Sequence, residues 1–169
     1  MRWPMWLVIT AIVAVPAWLY WPADARAHLM AAQQRWAGRS FADYRLVVET
    51  DTCLYDVVVR AGRLYGGARD ACVTQARTVE GLFALIAATG VQPRCVAGTC
   101  LCLVHTSVAA TYDVALGYPV RINIRSVLMP HLASADYWRA LMRWRRLPAC
   151  HASAMRHIRV QDVAPLSDD

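Results

Sequence analysis

The longest apolar stretch of the chain comes at its N-terminus. Residues Trp3 to Pro22, twenty in all, carry no charge. At about 1.5 Å per residue, a helix of this length spans the roughly 30 Å hydrocarbon core of a bilayer. Aromatic residues cluster at both ends of the stretch, as they do at the interfaces of membrane helices. We therefore predict a membrane anchor over residues 1–23, with these aromatic residues at its ends: Trp3, Trp6, Trp18, Tyr20 and Trp21.

The same stretch fits a second interpretation, a signal peptide that is cleaved after export. Alanines around Asp24 and Arg26 resemble a cleavage site. The length of the apolar run and the tryptophans at its end favour the anchor. Under both interpretations residues 24–169 form one exported domain. Arg2 precedes the stretch, which predicts a single-pass inner-membrane protein with a cytoplasmic N-terminus and a periplasmic domain.

Beyond this stretch the apolar positions follow helix and strand periodicities in turn. Apolar spacing predicts a helix over 24–36 and a second helix that Thr78 caps, with Glu80 in its first turn. Residues 91–105 alternate poorly and predict a disulfide-tied loop with a short strand. Period-two alternation predicts strands near residues 43–50, 55–59, 63–65, 108–112, 119–125 and 157–163. The expected fold class is α+β, with an N-terminal single transmembrane helix followed by a small antiparallel β-sheet packed by one or two helices.

Six cysteines follow the apolar stretch, and an even number in an exported domain indicates disulfides. Cys53 and Cys72 flank a predicted hairpin and could pair, while the other pairings stay open. The alternative is a metal site on Cys100 and Cys102 with His105, but it lacks the C-x-x-C loop and the second half-site of zinc centres. The candidate disulfide residues are Cys53, Cys72, Cys95, Cys100, Cys102 and Cys150.

A helix rich in arginine and tryptophan is predicted after Ser134, before Pro148. On a helical wheel Tyr137, Leu141 and Trp144 share one side, and arginines lie roughly opposite. Such a helix either packs on the sheet with a solvated arginine face or docks on lipid or on a protein partner. Tryptophan and arginine are also enriched in interface hot spots. We expect partner or lipid docking through these residues: Trp138, Arg139, Arg143, Trp144 and Arg146.

The segment from Tyr112 to Pro119 has the composition of a turn between two strands. An aspartate that accepts backbone N–H groups, a glycine with positive φ and a strand-starting proline explain it without a ligand. The structural turn residues are Asp113, Gly117, Tyr118 and Pro119. Elsewhere the five histidines lack ligand spacing, and neither a nucleophile elbow nor a P-loop occurs. We therefore expect no catalytic residue, no cofactor and no metal ligand, and a protein that is not an enzyme.

Several of these motifs occur together in one known family. With them the chain resembles the bacterial domain-of-unknown-function family 6174, which comprises small exported or lipoprotein-like α+β domains. The resemblance covers about residues 30–125 and the last strand, and it implies no catalytic residues. An inserted Arg/Trp-rich helical segment, residues 126–154, and the cysteine loop before it depart from the family pattern. The motifs that carry the resemblance are Trp36, Tyr44-Arg45, Cys53, Val57–Val59 with Gly62, Thr78–Phe83, Tyr112–Pro119, Ile122 and Ile124.

These features together predict a non-enzymatic accessory or scaffolding subunit, whose periplasmic domain docks on a larger integral-membrane complex, for example a respiratory or photosynthetic one. The lipid bilayer is the second expected partner. The net charge of +6 is scattered, which in an exported chain argues against nucleic acid. Two alternatives stay open. One is a free-standing periplasmic binding or inhibitor-like module with a groove over its sheet, and the other is a thiol-redox or metal-binding protein.

Overall fold

The computed structural model describes residues 23–67, 78–96, 98–144 and 149–166. Several sequence predictions fall on other residues and lie outside the described ones: the aromatic residues Trp3, Trp6, Trp18, Tyr20 and Trp21, and also Cys72 and Arg146. The elements of the described chain are α1 (Ala23–Ala37), β1 (Tyr44–Thr50), β2 (Leu54–Arg60), β3 (Arg63–Gly67), α2 (Val79–Ala87), β4 (Gly90–Val96), β5 (Thr99–Tyr112), β6 (Pro119–Pro130), α3 (Ala135–Trp144) and β7 (Ala152–Pro165).

All seven of these strands belong to one antiparallel sheet, in the order β3-β2-β1-β7-β6-β5-β4. Strands β1 to β3 form one meander and strands β4 to β7 form another. The two meanders join where β1 pairs with β7, the first strand with the last. Residues near the two ends of the described chain therefore meet in the middle of the sheet.

One face of the sheet carries the hydrophobic core, and α1 and α2 cover it. Apolar side chains at alternating strand positions contact the apolar sides of both helices. Leu82 and Ile122 are among the most deeply buried residues of this core. Thr78 Oγ1 accepts a hydrogen bond of 3.0 Å from the Gly81 N–H, so the predicted N-cap of α2 is confirmed. The opposite face of the sheet carries mainly polar side chains and is open.

The predicted fold class is wrong. In place of a small sheet with one or two helices, the described residues form a seven-stranded sheet with three helices. The expected fold also began with a transmembrane helix, but no helix among the described residues is both long enough and apolar enough to cross a membrane. The first described helix is α1, which packs on the sheet through Leu29, Ala32 and Trp36.

The segment over 91–105, predicted as a disulfide-tied loop with a short strand, contains more strand than expected. Residues 91–105 lie within the β4–β5 hairpin, which is paired in register from Gly90 with Thr106 onward. Every β4 residue after Gly90 is exposed. A strand at the sheet edge with no buried face does not need alternating apolar and polar residues. Its sequence therefore shows no period of two.

Candidate functional site

A helical excursion connects β6 to β7 at one end of the sheet. β6 ends at Pro130 and β7 begins at Ala152, so the excursion comprises residues 131–151, with α3 within it. Residues 126–130 and 152–154, at the two ends of the segment predicted as an insertion over 126–154, belong to these strands. The register pairs Leu128 with Ala152, which brings both ends of the excursion side by side.

Two disulfides lie at the base of this excursion. The bond between Cys102 and Cys150 joins β5 to the residue two positions before β7, and Cys102 is also the register partner of Pro130 at the end of β6. The bond between Cys95 and Cys100 closes the neighbouring β4–β5 hairpin. Both ends of the excursion are therefore held against β5.

Hydrogen bonds and packing fix α3 in the same place. The His131 N–H donates to the Leu101 carbonyl oxygen at 3.0 Å, and Asp136 Oδ2 accepts from the Cys100 N–H at 3.3 Å. Ser134 Oγ accepts from the Asp136 N–H at 3.2 Å, as an N-cap does. The buried side of α3 consists of Tyr137 and Ala140.

The outer side of the excursion exposes large apolar side chains. Trp138 is 49% exposed, Met142 one turn later is 80% exposed, and Leu132 is 60% exposed. The Trp138 indole Nε1 donates to the Leu132 carbonyl oxygen at 2.8 Å, which links helix and preceding turn. We call Leu132, Trp138 and Met142 the α3 surface.

Two of the predicted docking arginines border the α3 surface. Arg139 and Arg143 follow its residues by one position and so form the adjacent exposed strip of the helix. Arg139 forms an ion pair of 2.5 Å with Asp136. Trp144 is half exposed, but its spacing places it in line with buried Ala140, away from Trp138. The structure thus brings Trp138, Arg139 and Arg143 together and separates Trp144 from them.

The predicted disulfide chemistry is confirmed in its general form. Besides the two described pairs, Cys53 is also disulfide-bonded, and none of the described cysteines is free. Cys100 and Cys102, the pair considered for metal or redox chemistry, belong to two different disulfides. The part of the chain that the structure describes contains no group of three or more side chains able to hold a metal ion.

The segment between β5 and β6 is a turn stabilised by the Asp113 side chain and by backbone hydrogen bonds. Asp113 Oδ1 accepts from the N–H groups of Ala115 at 3.0 Å and Leu116 at 2.6 Å. Gly117 adopts a φ of 81°, and a Cβ there would overlap the Ala32 carbonyl oxygen of α1. Tyr118 packs edge-on against Trp36, and Pro119 is buried as β6 begins. These contacts account for Asp113, Gly117, Tyr118 and Pro119 as residues of a structural turn.

A second surface, which the sequence analysis did not single out, lies on the open face of the sheet. A groove of about 460 Å³ runs over β1, β6 and β7, and Arg121, Asn123, His157 and Arg159 are among its lining residues. Sequence alternation marks these positions, because each of them lies next to an inward-facing isoleucine.

Comparison with known protein families, with characterised proteins and with solved structures finds no match to this chain. The resemblance to domain-of-unknown-function family 6174 therefore rests on the sequence motifs alone. The α3 surface and the groove on the open face are therefore the candidate functional sites.

Proposed function

We propose that the protein is a non-enzymatic accessory subunit that works outside the cytoplasm and docks on a larger integral-membrane complex through the α3 surface. The observation that carries the proposal is the exposure of Trp138 and Met142 on a helix whose base is closed by disulfides. Disulfides form and persist in oxidising compartments, which supports a location beyond the cytoplasmic membrane.

Exposed apolar side chains of this size favour binding over solvation. Clusters of such residues with a polar border mark interaction sites on soluble domains. Complete burial of a methionine or larger apolar side chain is worth about 1.5–3 kcal/mol. Because α3 is already fixed on β5, little conformational entropy is lost when a partner binds, so more of this energy contributes to affinity.

The charges beside the α3 surface favour one kind of partner. Arg139 and Arg143 lie along one border, and of the two only Arg139 has an acidic neighbour, Asp136, among the described residues. A complementary surface has an apolar groove for Trp138 and Met142, with carboxylates along the side that meets the arginines. We propose that this complementary surface is an extracytoplasmic groove of an integral-membrane protein.

The test is purification of the tagged full-length chain from native membranes in mild detergent, followed by native gel and mass analysis. We expect the wild type to migrate with an integral-membrane complex in fixed stoichiometry. The double variant Trp138→Ser/Met142→Ser should reduce that recovery at least tenfold. A matched control, Leu54→Ser/Val114→Ser, changes two exposed apolar residues far from α3 and should retain it.

Three results would overturn the proposal. Wild-type chain that migrates only as a monomer would exclude a stable complex. Equal recovery from the α3 double variant and the control would exclude this surface. The third result is that no partner protein is recovered, while the wild type binds protein-free vesicles and the α3 double variant does not. The partner would then be lipid and not a protein.

The groove on the open face favours a second function, the binding of a small ligand. This function is compatible with docking, because the α3 surface and the groove share no residue. It corresponds to the binding-module alternative that the sequence left open.

A further inference from the structure

The groove on the open face places two arginines directly opposite each other. Arg121 on β6 and Arg159 on β7 are register partners in neighbouring antiparallel strands, and both line the groove. Side chains at such positions are about 5 Å apart at Cβ, and like charges there destabilise a sheet. The pair needs a negative charge nearby to offset this repulsion.

Two carboxylates also line the groove, and each accepts a hydrogen bond from a neutral donor. Glu49 is the register partner of Arg159 in β1, but its Oε2 accepts a hydrogen bond from the Gln161 amide. Asp51 Oδ2 accepts from the backbone N–H of His157 at 2.9 Å. Neither Arg121 nor Arg159 takes part in any of the ion pairs found among the described residues.

A paired arginine on the same face shows the contrast. Arg45 forms a two-pronged ion pair with Asp56, its diagonal neighbour on β2. The open face therefore contains an arginine that is paired with a carboxylate on the neighbouring strand. Arg121 and Arg159 form no such ion pair with the described residues, so their guanidinium groups stay available to an anionic ligand.

Polar groups beside the arginine pair complete the arrangement. Asn123 and His157 are the next register pair on the same face of β6 and β7, and His157 Nδ1 lies 2.7 Å from Asn123 Oδ1. The asparagine oxygen can only accept, so Nδ1 is the donor in this bond. Nε2 of His157 and the amide nitrogen of Asn123 are then the remaining polar atoms of the pair.

We infer that this groove binds a ligand through an oxyanion group, a phosphate or a carboxylate, held between Arg121 and Arg159. Two guanidinium groups present parallel N–H donors that match the geometry of such oxyanions. Asn123 and His157 lie two register positions further, on the same face, and contact the rest of the ligand. The volume of about 460 Å³ is within the range of small-molecule sites, roughly 300–1,000 Å³.

Binding of inorganic phosphate to the full chain, measured by heteronuclear NMR titration at constant ionic strength set with chloride, tests this inference. We expect saturable shifts of the Arg121, His157 and Arg159 resonances. The double variant Arg121→Gln/Arg159→Gln should weaken the affinity for phosphate at least tenfold.

Arg156→Gln is the matched control. It removes one positive charge from β7, the strand of Arg159, but Arg156 lies opposite Ile124, on the other face of the sheet. We expect this variant to bind phosphate like the wild type. Trp138→Ser/Met142→Ser should also bind phosphate normally, so failure of the docking proposal and failure of this inference are distinguishable.

A second titration identifies the source of the oxyanion. Vesicles of phosphatidylglycerol in phosphatidylcholine present it on a lipid headgroup, whereas phosphate and citrate present it in solution. Binding that depends on Arg121 and Arg159 in either arm supports the inference and names the source. Absence of binding in every arm, or equal losses in the groove variant and in Arg156→Gln, would overturn it.

Discussion

The indole Nε1 of Trp36 donates a hydrogen bond of 2.8 Å to Oε1 of Glu80 and thereby joins the end of α1 to the first turn of α2. The second carboxylate oxygen accepts from the Tyr44 hydroxyl of β1, also at 2.8 Å. The Arg39 guanidinium lies 3.2 Å from Oε1 and stacks over the Trp36 ring at 4.1 Å. One carboxylate therefore connects both helices that cover the core to the sheet beneath them.

Replacement of this carboxylate should lower the stability of the fold. Hydrogen bonds to charged groups contribute about 1.5–3 kcal/mol, and the Glu80 side chain is 48% exposed, which weakens them. We expect Glu80→Gln to lower the free energy of unfolding by about 1–2 kcal/mol in urea at neutral pH. Glu49→Gln changes the chain's other glutamate, on the open face, and should cost less than about 0.5 kcal/mol. Equal effects would contradict the role of Glu80.

The same contact predicts a pH dependence. Burial alone would raise the pKa of Glu80, but the hydrogen bonds from Trp36, its own backbone and Tyr44, together with the charge of Arg39, lower it below the usual 4.5. A carboxyl with a lowered folded pKa stabilises the protein above its unfolded pKa, and the effect disappears as the pH falls through the folded value. The stability difference between wild type and Glu80→Gln should be complete at about pH 6 and shrink below about pH 4. A difference that stays constant to pH 3 would contradict this.

Gly117 should tolerate no side chain. Its φ of 81° already costs an L-residue about 1 kcal/mol, and a Cβ would in addition overlap the Ala32 carbonyl oxygen and lie 2.9 Å from Arg35 Cβ. We expect Gly117→Ala to lower the free energy of unfolding by about 3 kcal/mol, measured in urea. Gly62→Ala is the control, because Gly62 has a φ of 71° with nothing within 4 Å, and it should cost only about 1 kcal/mol.

Sequence patterns predicted the elements around the core and failed at the edge of the sheet. The stripe of Leu29, Ala32 and Trp36 and the N-cap at Thr78 were readable, because burial on one side imposes a period on a helix. β4 has no buried face, so its sequence carried no period, and residues 91–105 were predicted as a disulfide-tied loop with a short strand. The pairing of β1 with β7 joins the two ends of the described chain, which no local pattern reports.

The candidate sites were only partly predictable for a related reason. Trp138 and Arg139 were recognisable as neighbours on one helix, since helical spacing is regular. The opposition of Arg121 and Arg159 depends on the register between β6 and β7, and the excursion of residues 131–151 separates these strands. Residue types alone give no information on that register, so the groove could be found only in the folded chain.

Loss of the disulfide at the base of α3 should cost more than loss of its neighbour. Cys102 and Cys150 are 48 residues apart in sequence, and Cys95 and Cys100 only 5. In the chain-entropy account these bonds contribute about 4 and about 2 kcal/mol. We expect unfolding in urea without reductant to show this order for Cys102→Ala/Cys150→Ala and Cys95→Ala/Cys100→Ala. An equal or larger loss from the short loop would contradict it.

Neighbouring aromatic residues of α3 should differ sharply in their effect on folding. Tyr137 is 2% exposed, so Tyr137→Ala leaves a cavity under the helix and should lower the free energy of unfolding by about 3 kcal/mol. Trp138 is half exposed and donates one hydrogen bond to the Leu132 carbonyl oxygen, so Trp138→Ala should cost less than about 1 kcal/mol. Urea denaturation of both variants measures the difference. A loss at Trp138 as large as that at Tyr137 would make Trp138 a structural residue, and any failure of its variants to recover the membrane complex would then reflect unfolding rather than a lost contact.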